Sequence, residues 1–534
     1  GDTSTAEKSK MLKKSPHIFI TTPESLAIAL TTSKFIEHFR AVEFIIIDEI
    51  HSLNNKRGTF LSINLERLEE LSVICPVRIG LSATISPLDV VAHFLVGENR
   101  DCLIAEVGFA KKINLEVLTG VANLITADSN EVHNSLYSLL DNLIQKHTST
   151  VIFTNTRTAT ERVINHLVDK FPENYIENIG AHHSSLSKEY RFSIEERLRK
   201  GELKVVVTSS SLELGIDIGY IDLVILLGSP KDSARALQRI GRSGHKLHEI
   251  SKGRFIVLDR DDLIECSIIN KECIEKKIDK IYIPKNCLDV LSQHIYGMCI
   301  SKIWDIDNLY AIIKKSYCYS SLRKEEFMSV ISYLSGEYAL EHRNVFAKIW
   351  YDVKTKQVGK RGKLARVIYM TNIGTIPEES FMTVVIGEGE NKGNKIGMID
   401  EGFLEKMKPG DVFVLGGKKF QFRFAKGMKV YVKVGVKRNP TIPSWFSEQL
   451  PLSFESSLEI GLFRKQINMR FSKNENKEDI VNFIENYCYV GKKVAENIYN
   501  YFNEQYTFAK IPHEQRLLIE YYKGEKNYVI FHSL

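Results

Sequence analysis

The sequence predicts an α/β fold of two parallel-sheet lobes, the first incomplete, followed by a helical domain and a β-rich α+β domain. Three observations carry this. Short apolar, β-branched runs at 18–21, 44–47, 77–81, 151–153, 205–208, 223–227 and 255–258 alternate with helical patterns, and apolar strands spaced by helices mark a parallel sheet covered on both faces. The strand run breaks near Phe109-Ala110-Lys111-Lys112 and resumes at Val151, which separates two lobes with a cleft expected between them. After Arg260-Asp261-Asp262 the alternation gives way to helical spacing at 288–295, with Pro284-Lys285-Asn286 as a helix start capped by Asn286. From about 346, short strands with Gly and Pro turns take over, as at 410–417; beyond a Lys/Asn/Glu-rich linker near 474 come helices and a last strand at 528–531.

Composition sets bounds on function. The chain has 534 residues, 43% hydrophobic and 26% charged, which suits a globular protein of roughly three to four domains. A net charge of +6 is compatible with a nucleic-acid surface and proves none. The eight cysteines include no C-x-x-C pair and no zinc-type Cys/His spacing, so they are expected to be reduced thiols with no structural metal. No apolar run approaches the length of a membrane span and the first residues lack a signal-peptide core, so the sequence predicts a soluble, cytoplasmic chain.

The strand 44–47 ends in Asp48-Glu49-Ile50-His51. Such a strand delivers its last side chains to the carboxyl edge of a parallel sheet, where open α/β folds bind ligands. There Asp48 suits a water-mediated Mg²⁺, Glu49 the orientation and deprotonation of an attacking water, and His51 the sensing of the lobe interface. A second strand leads into Ser82-Ala83-Thr84, small residues that can couple a nucleotide site to a nucleic-acid site. In the second lobe Arg239 and Arg242 are spaced three apart, which places two guanidinium groups on one helix face to grip a γ-phosphate.

Three hydroxyl clusters sit at strand ends and predict phosphate contacts to a nucleic-acid strand: Thr21 and Thr22, then Thr154, Asn155 and Arg157, then Thr208, Ser209 and Ser210. Glu213, Gly215 and Asp217 would link that grip to the nucleotide. Trp350, followed by Lys354, Lys356, Lys360, Arg361, Lys363 and Arg366, is either a stacking wedge for a single strand or the core residue of a basic hairpin. Trp445, among turn and apolar residues, reads as core.

In combination, Thr22-Pro23-Glu24-Ser25-Leu26, Asp48-Glu49-Ile50-His51, Ser82-Ala83-Thr84, His182-His183-Ser184-Ser185-Leu186-Ser187, Ser209-Ser210-Ser211-Leu212-Glu213-Leu214-Gly215-Ile216-Asp217 and Gln238-Arg239-Ile240-Gly241-Arg242-Ser243-Gly244-His245 resemble the Lhr (large helicase-related) family, DEAD/DEAH-box helicases of superfamily 2, over essentially the whole chain. The resemblance implies a partial first RecA-like lobe at 1–112, a second at 113–264, a winged-helix domain at 265–345 and a β-rich domain at 346–534, truncated at its end. It implies ATP and Mg²⁺ as cofactors and 3′-to-5′ movement of a monomer on single-stranded or forked DNA in repair or recombination. It assigns Gln238, Arg239 and Arg242 to catalysis, and His182 and His183 to a strand-facing loop. RNA remodelling of the Ski-like kind and a non-catalytic nucleic-acid-binding remnant stay open as alternatives. No G-x-x-x-x-G-K-[ST] string occurs in the chain, and the family carries that loop farther upstream. The chain is therefore expected to be a piece that does not hydrolyse ATP alone and exposes apolar sheet edge.

Overall fold

The computed structural model describes residues 7, 10–83, 85–106, 112–213, 219–244, 249–336, 347–375, 380–388, 392–436, 438, 440–443, 450–524 and 526–532. The chain divides into two compact units, Gly1–Val107 with Lys280–Glu378, and Gly108–Asp279 with Glu379–Leu534.

In the first unit, strands Phe44–Ile47 and Val77–Gly80 pair in parallel, Phe44 opposite Val77. Helix Lys56–Leu71, whose Asn55 cap accepts from Arg57 N and Gly58 N, and helix Leu88–Val96 bury Ile45 in a core with Leu65 and Phe94. Phe44 and Ile46 are 59% and 60% exposed, so this sheet is not covered on both faces as its apolar run predicts. No strand forms at 18–21, where one was expected, and Ile18 and Ile20 are 80% and 90% exposed. A β-branched run becomes a strand only where a neighbour supplies the ladder, and among the described residues none flanks it.

The same unit holds a winged-helix arrangement. Helices Leu288–Ser301, Ile306–Lys315 and Lys324–Ser335 join a small antiparallel sheet in which Gln357–Lys360 lies between Ile349–Asp352 and Trp304–Asp305. The expected boundary at 345/346 thus cuts through this domain: Val358 pairs with Trp304, and the strands beyond the boundary are its wing. Asn286 is not the helix cap. Cys287 takes that position, while Asn286 adopts φ +53° and its N–H donates to Cys318 O.

The second unit is built on a six-stranded, all-parallel sheet in the order Ile113–Thr119, Ser251–Val257, Leu223–Leu227, Thr150–Phe153, Val205–Thr208, Ile179–His182. Its central strands are buried end to end. Alternate residues face two cores. Val151, Val206 and Val224 pack with helix Arg260–Glu275 and with Phe463, Ile484 and Ile498 of helices Phe454–Ser472, Lys477–Cys488 and Lys492–Phe508. Ile152, Val207 and Ile225 pack with Ile164 and with Val384, Phe413 and Val432 of a five-stranded sheet ordered Lys395–Asp400, Phe381–Ile386, Lys429–Val434, Lys418–Lys426, Val412–Leu415. Helix Arg260–Glu275 therefore belongs to this unit and is not split at 264/265: Cys266, Ile269 and Cys273 are committed to its core. No helix of the described residues is long and apolar enough to cross a membrane, and no group of three metal-ligating side chains occurs among them.

Candidate nucleotide and nucleic-acid site

In the first unit the acidic motif lies at the carboxyl end of Phe44–Ile47. Leu81 N donates to Ile47 O at 2.9 Å and Ile50 N to Leu81 O at 3.0 Å, so the chain through Asp48 and Glu49 runs beside Ser82 and Ala83. Glu49 is left-handed at φ 51°, a conformation that costs a non-glycine residue roughly 1 kcal/mol or more. Its N–H donates to Asp48 Oδ1 at 2.9 Å, which holds the turn. Asp48 is exposed and retains Oδ2 for a hard cation with its water shell, so the donor set fits Mg²⁺. Ala83 N–H donates to His51 Nδ1 at 3.4 Å, with Ser82 Oγ 3.3 Å away. A neutral imidazole accepting at Nδ1 carries its proton on Nε2, which lies 3.4 Å from Glu49 Oε2. His51 thus ties Glu49 to Ser82 and Ala83 within this unit. Thr84 lies outside the described residues.

In the second unit the arginine motif lies on helix Ser233–Ile240, whose cap Asp232 accepts from Arg235 N at 2.6 Å. Arg239 is only 2% exposed. Its Nε and Nη2 donate to Glu213 Oε2 at 3.2 and 3.1 Å, its Nη1 to Asn155 Oδ1 at 3.5 Å, and its guanidinium lies 5.3 Å from the centre of the Phe153 ring. Burial lowers its pKa and the Glu213 charge opposes that shift. Arg235 Nε reaches the other Glu213 oxygen at 3.5 Å. Arg239 and Arg242 do not share a helix face: the helix ends at Ile240, and half-buried Arg242 follows in a turn where its N–H donates to Arg239 O at 3.0 Å. Gln238 is half-buried on the same helix, while Gly215, Asp217 and His245 lie outside the described residues.

The hydroxyl clusters separate into two kinds. Thr154 is buried and its hydroxyl is spent inside the lobe, 2.8 Å from Thr160 Oγ1 and 3.0 Å from Thr156 O. Thr208 is likewise buried, 3.2 Å from Ser211 Oγ. Neither is available to a phosphate, contrary to expectation, because both end strands that are covered on both faces. Asn155 donates to Ser229 O at 2.8 Å, Arg157 donates to Ser185 Oγ at 3.1 Å, and Ser209 is buried. Ser210 is exposed, and Thr21 and Thr22 are half-buried, Thr22 capping helix Pro23–Ala29 by accepting from Ser25 N at 3.3 Å.

The histidine pair also reads differently from expectation. His182 and His183 are buried; His182 meets Glu195 at 3.0 Å and Ser211 at 2.6 Å. His183 meets Glu161 at 2.9 Å, a carboxylate that also accepts from Gly416 N at 2.5 Å and Gly417 N at 2.8 Å. Glu161 fastens the five-stranded sheet to the lobe, with His183 behind it, and both histidines are buried rather than set on a strand-facing loop. Trp350 is half-buried and lies on Gly359 opposite it, where an added Cβ would stand 2.8 Å from the indole. Trp445 lies outside the described residues. Sequence reasoning missed the Phe153–Asn155–Glu213–Arg239 nest, whose members come from the end of Thr150–Phe153, the turn after Val205–Thr208 and the arginine helix.

Carboxylates at a parallel-strand edge, tied by a histidine to a small-residue loop, together with an arginine helix on a six-stranded parallel lobe, define the parts of a RecA-type, DEAD/DEAH-box core. Family models agree: DEAD/DEAH box helicase matches residues 1–91, helicase conserved C-terminal domain 133–246, and the winged-helix domain of large helicase-related protein 271–442. ATP-dependent helicase Lhr-Core of Methanothermobacter thermautotrophicus is 54% identical across 100% of this chain and 62% of its own length. The Lhr helicase/uracil glycosylase of Escherichia coli is 31% identical over 84% of this chain and 32% of its own length. The structure of Mycobacterium smegmatis helicase Lhr bound to ssDNA and AMP-PNP superposes with TM-score 0.78 at 28% identity, covering 100% of this chain and 64% of that one. The chain belongs to the Lhr family of DEAD/DEAH-box helicases. It spans about three fifths of the Lhr-Core relatives it matches, 62% of the Methanothermobacter protein.

Proposed function

We propose that the chain supplies the hydrolytic and strand-holding parts of an ATP-driven helicase that moves 3′ to 5′ on single-stranded DNA in repair or recombination, as a cytoplasmic monomer. The observation that carries this is the His51 bridge: one imidazole joins Glu49 to Ser82 and Ala83. The M. smegmatis relative bound to ssDNA and AMP-PNP supports both ligands. Mg²⁺ bound with ATP near Asp48 would neutralise phosphate charge. Glu49 orients and deprotonates the attacking water, Arg242 stabilises the charge on the transferred phosphate, and Arg239, held by Glu213, positions the helix that bears Gln238. Thr21, Thr22, Arg157 and Ser210 hold the strand by its phosphates, so that stepping ignores sequence; Trp350 serves as the wedge through its outer face.

The 534 residues contain no G-x-x-x-x-G-K-[ST], so hydrolysis is expected only when a phosphate loop is supplied. In a protein so completed, Glu49→Gln should retain ATP binding and lose hydrolysis by roughly 10²–10⁴-fold. Undiminished turnover would remove Glu49 from its role. Arg242→Ala should slow hydrolysis far more than it weakens strand binding. Matched DNA and RNA forks, unwound side by side, test the choice of strand: faster unwinding of RNA would favour the Ski-like alternative.

A further inference from the structure

One surface of the second unit has no task in the helicase reading. Strands Lys418–Lys426 and Lys429–Val434 form a hairpin carrying Lys418, Lys419, Arg423, Lys426, Lys429 and Lys433 and no carboxylate. Strand alternation sends Phe420, Phe422, Val430 and Val432 into the core. The register shifts between Phe422 and Phe424, so Arg423 is an extra residue that reverses the alternation. Phe424 consequently emerges on the outer face opposite Tyr431, and the rings stack with centroids 4.7 Å apart and planes 19° from parallel. Phe424 remains 52% exposed.

The charges around this pair are not arranged for folding. Lys426 and Lys429 stand directly opposite each other, a juxtaposition that is unfavourable without an anion. Lys419 is paired with Asp169 at 3.1 Å and Arg423 with Glu388 at 3.3 Å. Among the described residues no carboxylate lies within ion-pair distance of Lys418, Lys426, Lys429 or Lys433.

We propose that this outer face is a binding platform for single-stranded nucleic acid, on which an unpaired base extends the Phe424–Tyr431 stack while Lys426, Lys429 and Lys433 hold the flanking phosphates. Flat rings beside unopposed cations are what sequence-tolerant strand binding uses. A duplex does not meet the need, because its base faces are already occupied by one another. The proposal rests on the reading that the protein works on a nucleic-acid strand and adds a contact region away from the motor motifs.

The full 534-residue chain tests it with fluorescein-labelled oligo-dT and a matching duplex, followed by anisotropy across salt concentrations. Replacing both Phe424→Leu and Tyr431→Leu keeps the surface apolar but removes the flat rings, and should weaken oligo-dT binding by roughly tenfold or more. Phe424→Tyr should bind as the parent does. Lys426→Gln with Lys429→Gln should make the salt dependence of log K shallower by about 0.7 per lysine. Parent-like binding by the double leucine variant, or an equal loss for duplex and single strand, overturns the platform. So does a dimer in light scattering that Phe424→Leu dissociates, which would assign the face to a second copy. Photocross-linking with 5-iododeoxyuridine-substituted oligo-dT separates this inference from the wider one. Adducts on Phe424 or Tyr431 support the platform; adducts confined to the strand ends of the α/β lobes overturn it and leave the strand track standing. Adducts on the hairpin alone sustain the platform and overturn that track.

Discussion

The two parallel sheets start from the same kind of sequence and end in different environments. Phe44-Ile45-Ile46-Ile47 is as apolar as Leu223-Val224-Ile225-Leu226-Leu227, yet only Ile45 of the first set is buried while all of the second are. The second sheet has helices on one face and a five-stranded sheet on the other. The first has helices against Ile45, with Phe44 and Ile46 turned outward. An apolar run reports a readiness to be covered; the neighbours decide whether it is.

A charge inserted into each sheet breaks or sharpens that comparison. Ile225→Asp should cost roughly 4–5 kcal/mol or abolish folding of the second unit, because a carboxylate would lie in a dry core, whereas Ile46→Asp should shift stability by only about 0.5 kcal/mol. Equal effects in thermal melts would show that the outward face is covered after all. Next in size, Glu161→Ala should destabilise the second unit by roughly 3 kcal/mol, since Gly416 N, Gly417 N and His183 lose their acceptor and the covering sheet its fastening. Glu49→Gln, at a solvent edge, should leave the melting temperature almost unchanged.

An effect smaller than that of Glu161→Ala is expected with pH. Burial in the core beneath helix Phe454–Ser472 raises Glu272 to about 7, against a hydrogen bond from Ser456 Oγ at 2.7 Å that lowers it. A carboxyl that binds its proton more tightly folded than unfolded adds stability that is full below about 4.5 and lost as pH rises toward 7. Chemical denaturation of the parent should therefore show stability falling by on the order of 2 kcal/mol between pH 5 and 8, and Glu272→Gln should flatten that slope. A slope unchanged by the substitution would remove Glu272 as its source.

The motifs were legible because each is a short string at a strand end: Asp48 and Glu49 follow an apolar strand, and Ser82 and Ala83 follow its neighbour. Their distinct roles were not legible. Thr154 and Ser210 look alike in sequence, but Thr154 is consumed by Thr160 and Thr156 while Ser210 is exposed. Arg239 and Arg242 share a spacing that suggests one face, and a helix that stops at Ile240 parts them. The winged-helix boundary was misplaced because its wing joins Trp304 to Val358, far apart in sequence.

By itself the sequence determined the family and four of the six strands of the second lobe, since these depend on local pattern and side-chain identity; Ile113–Thr119 and Ile179–His182, whose runs mix polar and small residues with apolar ones, became strands only through their neighbours in the sheet. Only the tertiary structure decided which of those side chains meet solvent and which are spent holding the fold. That choice is made by partners distant in sequence: Glu213 takes Arg239, Glu161 takes His183, and one extra residue, Arg423, turns Phe424 outward.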